Sequence, residues 1–418
     1  MRTYWWHTDQ NLTGQQEALK SHVHRFAVEH MRPAAEALYR LGGPQQMLAE
    51  GSPLWEVFRA AYERRWHSAL VPLGMGGLGM RGLDLALLFE ELGWGSADMA
   101  VSLMLTGLPF SFVAAARKAD LIDEFVRPFA ADREARFVGC WAVTEPEHGS
   151  DQFLLSTEVF TDLDFSGQLR TDPQGGDYVI NGEKSAWVGN AAIATHMVAS
   201  LTLMSESNAA GRAVVFIPLD LPGIIRERPQ DMLGQRALAQ AAVRFEDVRV
   251  PRRYVLVEHD HYEDELAKTL AFVHAAIGAI FTGVARAAYE AALEHARLRE
   301  QGGKALVMHQ LVQRRLFEMY SRIEAARALA RAAMLSNEPS GPTPEHAVAA
   351  KTFCTQTAFE VADSALALFG ARGLTRDHFA ARLLCDARAA FAECGSNDVL
   401  ALRALLAARR LVEQATAG

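Results

Sequence analysis

The chain has 418 residues, half of them hydrophobic, with 42 lysines and arginines against 50 aspartates and glutamates and a formal charge of −8. That length and apolar share allow a large core divided into two or three domains. The acidic balance, without any run rich in lysine or arginine, excludes a phosphate-neutralising surface and with it a nucleic-acid partner.

Cys140, Cys354, Cys385 and Cys394 form neither a C-x-x-C pair nor a regular framework. This argues against a metal site and disulfides and for a reducing, cytoplasmic setting. The opening MRTYWWHTDQNLTGQQ lacks an apolar signal-peptide core, and Trp5 and Trp6 are expected only to cover a helical bundle. The apolar stretch Ala271 to Ala285, which contains His274, falls short of the about 20 helical residues that cross a bilayer. No membrane partner is expected.

Residues 1–136 carry apolar positions at helical spacing, as in Leu83, Leu87, Leu88 and Leu92, with a glycine-rich break from Val71 to Gly82. They predict an N-terminal all-helical domain. Residues 137–255 change to short β-branched and aromatic runs, YVING (Tyr178 to Gly182), AVVFIPL (Ala213 to Leu219) and AAVRFEDVRVP (Ala241 to Pro251), which predict a middle β-barrel or sandwich domain. Residues 256–418 return to alanine-rich amphipathic segments, broken at Gln301 to Gly303, at Asn337 to Pro344 and at Phe369 to Gly373. These predict a C-terminal domain like a four-helix bundle, and the whole is α+β and multidomain.

One stretch concentrates chemistry: Trp141-Ala142-Val143-Thr144-Glu145-Pro146-Glu147-His148-Gly149-Ser150-Asp151. Trp141 and Val143 suit a buried strand face, Thr144 offers a hydroxyl where the strand stops, Pro146 fixes a turn and Gly149 lets backbone approach a ligand. The stretch closely resembles the signature of the acyl-CoA dehydrogenase family, where it lines the flavin ring and the thioester chain. Gly176 to Asn190, Leu233 to Pro251, Arg299 to Gln310, Leu368 to Arg376 and Asp386 to Asp398 resemble further segments of the same family, so the likeness spans nearly the whole chain.

The resemblance implies that fold and a FAD cofactor. It implies that Trp141, Val143, Thr144, Trp187, Gly189 and Ser396 meet the flavin and that Ser150 meets substrate. Arg299, Gln310, Gly370 and Gly373 would hold the pyrophosphate and adenosine of a neighbouring subunit's cofactor, which implies a homodimer or homotetramer. By residue type alone, Trp187 is more readily a core aromatic of a β hairpin, and Arg299 is as readily a solvated arginine ending a helix. The chain departs from the family pattern at Gly189, which replaces a threonine or serine donating toward flavin N5, at Gly302, which replaces an aromatic, and at Ala367 and Ala371. The first loss is a hydrogen bond worth about 1 kcal/mol.

The sharpest departure concerns the base. In most of the family a glutamate lies eight positions after the aspartate matched by Asp386; here that place is Cys394. Glu393 is adjacent, but one residue turns a side chain by about 100° on a helix, so Glu393 is expected to need a backbone rearrangement to serve. The alternative family position, ten residues before Gly278, holds Lys268, with Glu265 three residues earlier. Cys394, with a reference pKa near 8.5, is a weak base and a competent nucleophile, or else a small buried residue that leaves room for an unusual acyl group.

The expected protein is a FAD-dependent oxidoreductase acting on an acyl thioester of CoA or of a carrier protein, with an electron-transfer flavoprotein or oxygen as acceptor. A lyase, isomerase, cyclase or flavin monooxygenase on the same fold, or a degenerate thioester-binding subunit, stands as the alternative. His22, His24 and His30 suit a solvated helical face, and His274 a satisfied core histidine.

Overall fold

The computed structural model describes residues 11–153, 167–204, 210–337 and 344–405; Trp5, Trp6 and most of the break after Asn337 lie outside these. Thr13 opens α1 (Gly14–Phe26) through a capping box, its hydroxyl accepting from Gln16 N while the Gln16 side chain accepts from Thr13 N. The π turn Ala27–Met31 joins α1 to α2 (Arg32–Tyr39) ahead of Pro33, and proline opens α3 (Pro44–Leu48) and α4 (Pro53–Glu63), where its missing N–H is harmless. After the glycine-rich break come α5 (Gly82–Gly95) and α6 (Ala97–Ala116), apolar on nearly every face and buried accordingly. Short α7 (Ala119–Leu121) and α8 (Arg127–Ala131) close the helical third.

Eight strands follow: β1 (Gly139–Ala142), β2 (Arg170–Gln174), β3 (Asp177–Val188), β4 (His196–Met204), β5 (Ala210–Pro218), β6 (Ile224–Arg226), β7 (Ala241–Pro251) and β8 (Val255–Val257). They form one sheet in the order β6-β7-β3-β2-β4-β5-β8, with β1 added parallel to β4. β1 also packs against α6, which joins the sheet to the helical domain and brings the end of β1 to the domain boundary.

The C-terminal third is built on α9 (His259–Leu298), flanked by α10 (Gln310–Ser336), α11 (Pro344–Phe369) and α12 (Phe379–Ala389), with a two-residue hairpin pair, β9 (Glu300–Gln301) and β10 (Lys304–Ala305), between α9 and α10. At 40 residues α9 is far longer than its apolar stretch suggested, and α9 and α6 are long and apolar enough to cross a bilayer. Their most apolar windows are 94% and 83% buried inside the protein, so other helices take the place of lipid. Gly93 and Gly283 let α5 and α9 touch through their backbones, since a Cβ at either would lie about 2 Å from a carbonyl oxygen of the other helix.

A buried ionic cluster fills this crossing. Arg286 of α9 donates to Glu90 at 2.9 Å and to Glu91 of α5, and Arg327 of α10 donates to Glu90 at 3.0 Å. His24 joins it, Nδ1 lying 2.8 Å from Glu91, so this histidine is held at a packed helix contact rather than on a solvated face.

Candidate functional site

A cavity of about 490 Å³ lies where the helical domain, the sheet and α12 meet. Val101 and Leu105 of α6 form its floor, Trp141, Val143, Thr144 and Ser150 one wall, and Trp187 and Gly189 at the end of β3 its mouth. The segment Met232 to Gln240 and the residues Cys385, Arg388, Glu393 and Cys394 complete it.

Buried polar contacts hold the first wall. Lys184 of β3 is fully buried and donates to Val143 O at 2.9 Å and to Glu145 Oε1 at 2.7 Å, while Glu145 Oε2 accepts from Gln168 N. Burial, opposed by Glu145, brings the Lys184 ammonium down to about 8. Thr144 is tied to the same strand, its hydroxyl 2.6 Å from that of Ser185 and its carbonyl accepting from Ser185 N. Sequence reasoning missed Lys184; its signal was a lysine inside an otherwise packed strand.

Trp187 is 59% exposed and stands at the cavity mouth, which removes the alternative of a core aromatic. At Gly189 a Cβ would lie 2.6 Å from Leu105 Cδ1. The missing hydroxyl at this position therefore has a structural counterpart: a leucine methyl takes its room. Asn190, fully buried at φ +64°, then bonds Ser102 O, Thr106 Oγ1 and Gly139 O and locks the strand end to α6 and β1.

The opposite wall is set by contacts between α12 and the segment before β7. Gly234 passes so close to α12 that a Cβ would lie 2.1 Å from Cys385 O. Next to it Gln235 N donates to Asp386 Oδ1 at 2.6 Å, and Gln235 Nε2 to Asp386 O at 3.1 Å. Burial, with Asp98 adding repulsion, raises Asp386 to about 7.

The turn after α12 holds the two candidate catalytic residues. Cys394 adopts φ +47° and Gly395 φ +100°, so the chain leaves the helical path at the residue after Glu393. Glu393 and Cys394 both line the cavity, on either side of the point where the chain turns. Glu393 Oε2 is enclosed without a hydrogen-bond partner. Burial raises this carboxyl to about 7, against the pull of Lys351. The same burial, with the Glu393 charge, pushes the Cys394 thiol up to about 12, which keeps it protonated at neutral pH.

Three side chains pin this turn. Lys351 of α11, fully buried, donates to Gly395 O at 2.8 Å and to Asn397 Oδ1 at 2.7 Å. His274 Nε2 donates to Cys394 O at 2.9 Å, and burial lowers this histidine to about 3, which keeps the ring neutral. Ser396 N donates to Ser150 Oγ at 2.9 Å, joining the turn to the first wall. Ser150 thus lines the cavity while Ser396 stands behind it.

Arg299, Gln310, Gly370 and Gly373 are not brought to the cavity. Arg299 and Gln310 are exposed on the hairpin and at the start of α10, and Gly370 and Gly373 sit in the 3₁₀ turn Gly370–Leu374 that follows α11. Exposed Leu298, Met308, Leu311 and Phe317 lie beside the first two in sequence.

Three family models match in succession: the acyl-CoA dehydrogenase N-terminal domain over residues 13–134, the middle domain over 140–248 and the C-terminal domain over 263–412. Benzylmalonyl-CoA dehydrogenase of Aromatoleum aromaticum is 29% identical over 94% of this chain and 98% of its own. L-prolyl-[peptidyl-carrier protein] dehydrogenase of Pseudomonas fluorescens is 26% identical over 79% of this chain and 83% of its own. In structure, butyryl-CoA dehydrogenase of Megasphaera elsdenii superposes with a TM-score of 0.84 over 96% of this chain and 99% of its own, at 23% identity.

Proposed function

This chain belongs to the acyl-CoA dehydrogenase family through all three of its domains, and from that premise we propose that its cavity takes FAD beside an acyl thioester, with Glu393 as the base. The protein is an oxidoreductase acting on an acyl thioester. Two features fit the flavin. Trp141, Val143 and Trp187 offer flat apolar surface, and Gln235 and Gln240 each present a buried side-chain oxygen without a partner on the cavity wall. Those residues and Thr144 would hold the ring. When bound, FAD supplies the two-electron acceptor for the hydrogen that leaves Cβ.

The remaining chemistry falls to the chain. The Glu393 carboxylate removes the α proton, the Cys394 backbone N–H is a donor for the thioester carbonyl oxygen, and the apolar walls keep water from the developing carbanion. Glu393 then holds the α proton, and with the Cβ hydrogen passed to the acceptor the product would be an α,β-unsaturated thioester. One observation carries this reading: a carboxyl on the cavity wall, partnerless at Oε2 and ionising near neutrality, where a base works best. This carboxyl supports dehydrogenation over a lyase, isomerase or monooxygenase, readings that rested on a missing base.

The test is anaerobic bleaching of the FAD-reconstituted protein by a panel of acyl-CoA and acyl-pantetheine thioesters. Native protein and Cys394→Ala should bleach, and Glu393→Gln should be slower by about 10²–10⁴-fold, the usual share of a general base. Rapid bleaching by Glu393→Gln with loss in Cys394→Ala would assign the step to the thiol. Arg299, Gln310, Gly370 and Gly373, all outside the cavity, support a homo-oligomer in which they serve a neighbour's flavin, and light scattering of the loaded protein tests it.

A further inference from the structure

Two cavity residues, Ser150 and Phe153, belong to one 3₁₀ turn, Ser150–Phe153, and that turn touches the turn of Glu393 at two points. Ser150 Oγ accepts from Ser396 N at 2.9 Å. Phe153 packs against Gly395, where a Cβ would lie 3.2 Å from Phe153 Cδ2. What fixes the first turn therefore fixes the second.

Upstream of Ser150 the fixing is local. Glu145 N donates to His148 O at 2.8 Å and His148 N to Glu145 O at 3.1 Å, while Asp151 accepts from Gly149 N at 2.6 Å and lies 2.8 Å from His148 Nδ1. At the other end one side chain reaches across from the sheet. Gln152, only 1% exposed, accepts through Oε1 from Arg212 Nη2 of β5. Among the described residues this is the one hydrogen bond of the Gln152 side chain, since its Nε2 is enclosed without a partner.

Arg212 is itself held from two sides. Its guanidinium lies 5.8 Å from the Tyr262 ring centroid on α9, and its backbone N–H donates to His259 Nδ1 at 3.2 Å. Val214, two residues along β5 and so on the same face, belongs to the apolar core with Val198, Tyr262 and Leu266. Arg212 Nη1 is enclosed there without a partner, a desolvation cost that an apolar side chain would not carry. Its contact with Gln152 is thus unfavourable ground for a purely structural arginine. Arg212 does not line the cavity, so its route to the chemistry runs through Gln152.

We propose that Arg212 is a positioning residue for dehydrogenation: through Gln152 it holds the Ser150–Phe153 turn against the turn of Glu393, and so sets the carboxylate at the α carbon of the thioester. This rests on Glu393 as the base.

The test uses the full chain loaded with FAD and the variants Arg212→Met, Arg212→Lys, Gln152→Met and Arg212→Met/Gln152→Met. Amide hydrogen exchange at Ser396, which needs no substrate, should be faster by about tenfold in Arg212→Met. Arg212→Lys, which keeps a donor for Gln152 Oε1, should stay near native. Anaerobic bleaching at rising concentrations of the acyl-CoA that native protein oxidises fastest then separates affinity from limiting rate. Arg212→Met should lower the limiting rate per flavin by about 10–10²-fold, the effect of an ångström-scale misplacement, with affinity changed by less than about threefold. Arg212→Lys should recover most of that rate, and the double variant should be no slower than either single methionine variant, because both remove one contact. An arginine with a structural role alone would reduce the yield of loaded protein and leave the rate per flavin unmoved. Unchanged Ser396 exchange, a native limiting rate in Arg212→Met, no recovery with lysine, or losses that multiply in the double variant would each overturn the proposal. If Glu393→Gln bleaches like native protein, it is the base assignment that falls, and Ser396 exchange still decides whether Arg212 holds the two turns together.

Discussion

Lys351 on α11 and Gly395 in the turn after α12 are joined by a 2.8 Å hydrogen bond from the buried ammonium to the carbonyl oxygen. The same ammonium reaches Asn397 Oδ1, and its charge opposes the burial that raises Glu393. Position and acidity of the proposed base thus share one anchor. Lys351→Met should lower stability by about 1–3 kcal/mol for each acceptor left unmet, read by denaturant unfolding. It should also move the pH profile of flavin reduction alkaline, because Asp98 and Asp386 then face Glu393 without the opposing cation. A stability loss with an unmoved profile would leave Lys351 a structural tether alone.

Glu393 itself makes two pH predictions. It must be ionised to take a proton, so kcat/KM should rise with pH and inflect near its value of about 7. Stability runs the other way. The folded state holds the Glu393 proton to higher pH than the unfolded chain, whose value is near 4.5, so this group's contribution is full below that and is lost as pH rises through about 7. Glu393→Gln, which cannot ionise, should therefore raise Tm relative to native protein more at pH 8 than at pH 5. Equal shifts at both would mean that Glu393 is not buried as an acid. Cys394→Glu, which the family's pattern recommends, should fail to speed reduction, since it places a second carboxylate at φ +47° beside the first.

Much of this was legible beforehand, for identifiable reasons. The three-part order followed from changes of period, and β7 matches its alternating run from Ala241 to Pro251 residue for residue. The wall from Trp141 to Ser150 was equally visible, because strand, proline and glycine signals are local. What escaped reading was long-range. The αL conformation at Cys394 depends on Lys351 and His274, which lie 43 and 120 positions earlier and carry no motif. Lys184 escaped for the same reason: a lysine in a strand has no meaning until Glu145 is placed beneath it.

That pair supports a further prediction. Both side chains are fully buried and 2.7 Å apart, so removing one partner leaves a desolvated charge. Lys184→Met should cost about 3–5 kcal/mol, and the double variant Lys184→Met/Glu145→Leu distinctly less than the two single losses added together. The flavin dissociation rate should rise in Lys184→Met, because Val143 O loses its donor. Additive losses in the double-mutant cycle would show that the two residues do not act as a pair.

The last prediction concerns the hydroxyl that this chain lacks. At Gly189 a new Cβ meets Leu105 Cδ1 at 2.6 Å and Leu238 at 3.5 Å, and the first contact is the end of a flexible side chain on α6. Gly189→Ser alone should therefore strain the α6 packing and weaken FAD binding rather than improve it. Paired with Leu105→Ala the serine gains its room, and its hydroxyl should slow FAD loss relative to Leu105→Ala alone by about fivefold, the effect of one net hydrogen bond near 1 kcal/mol. Flavin off-rates of the two single variants and the double variant, measured by fluorescence recovery after dilution, decide it. If Gly189→Ser alone holds FAD more tightly than the native protein, Leu105 yields freely and the glycine has another cause.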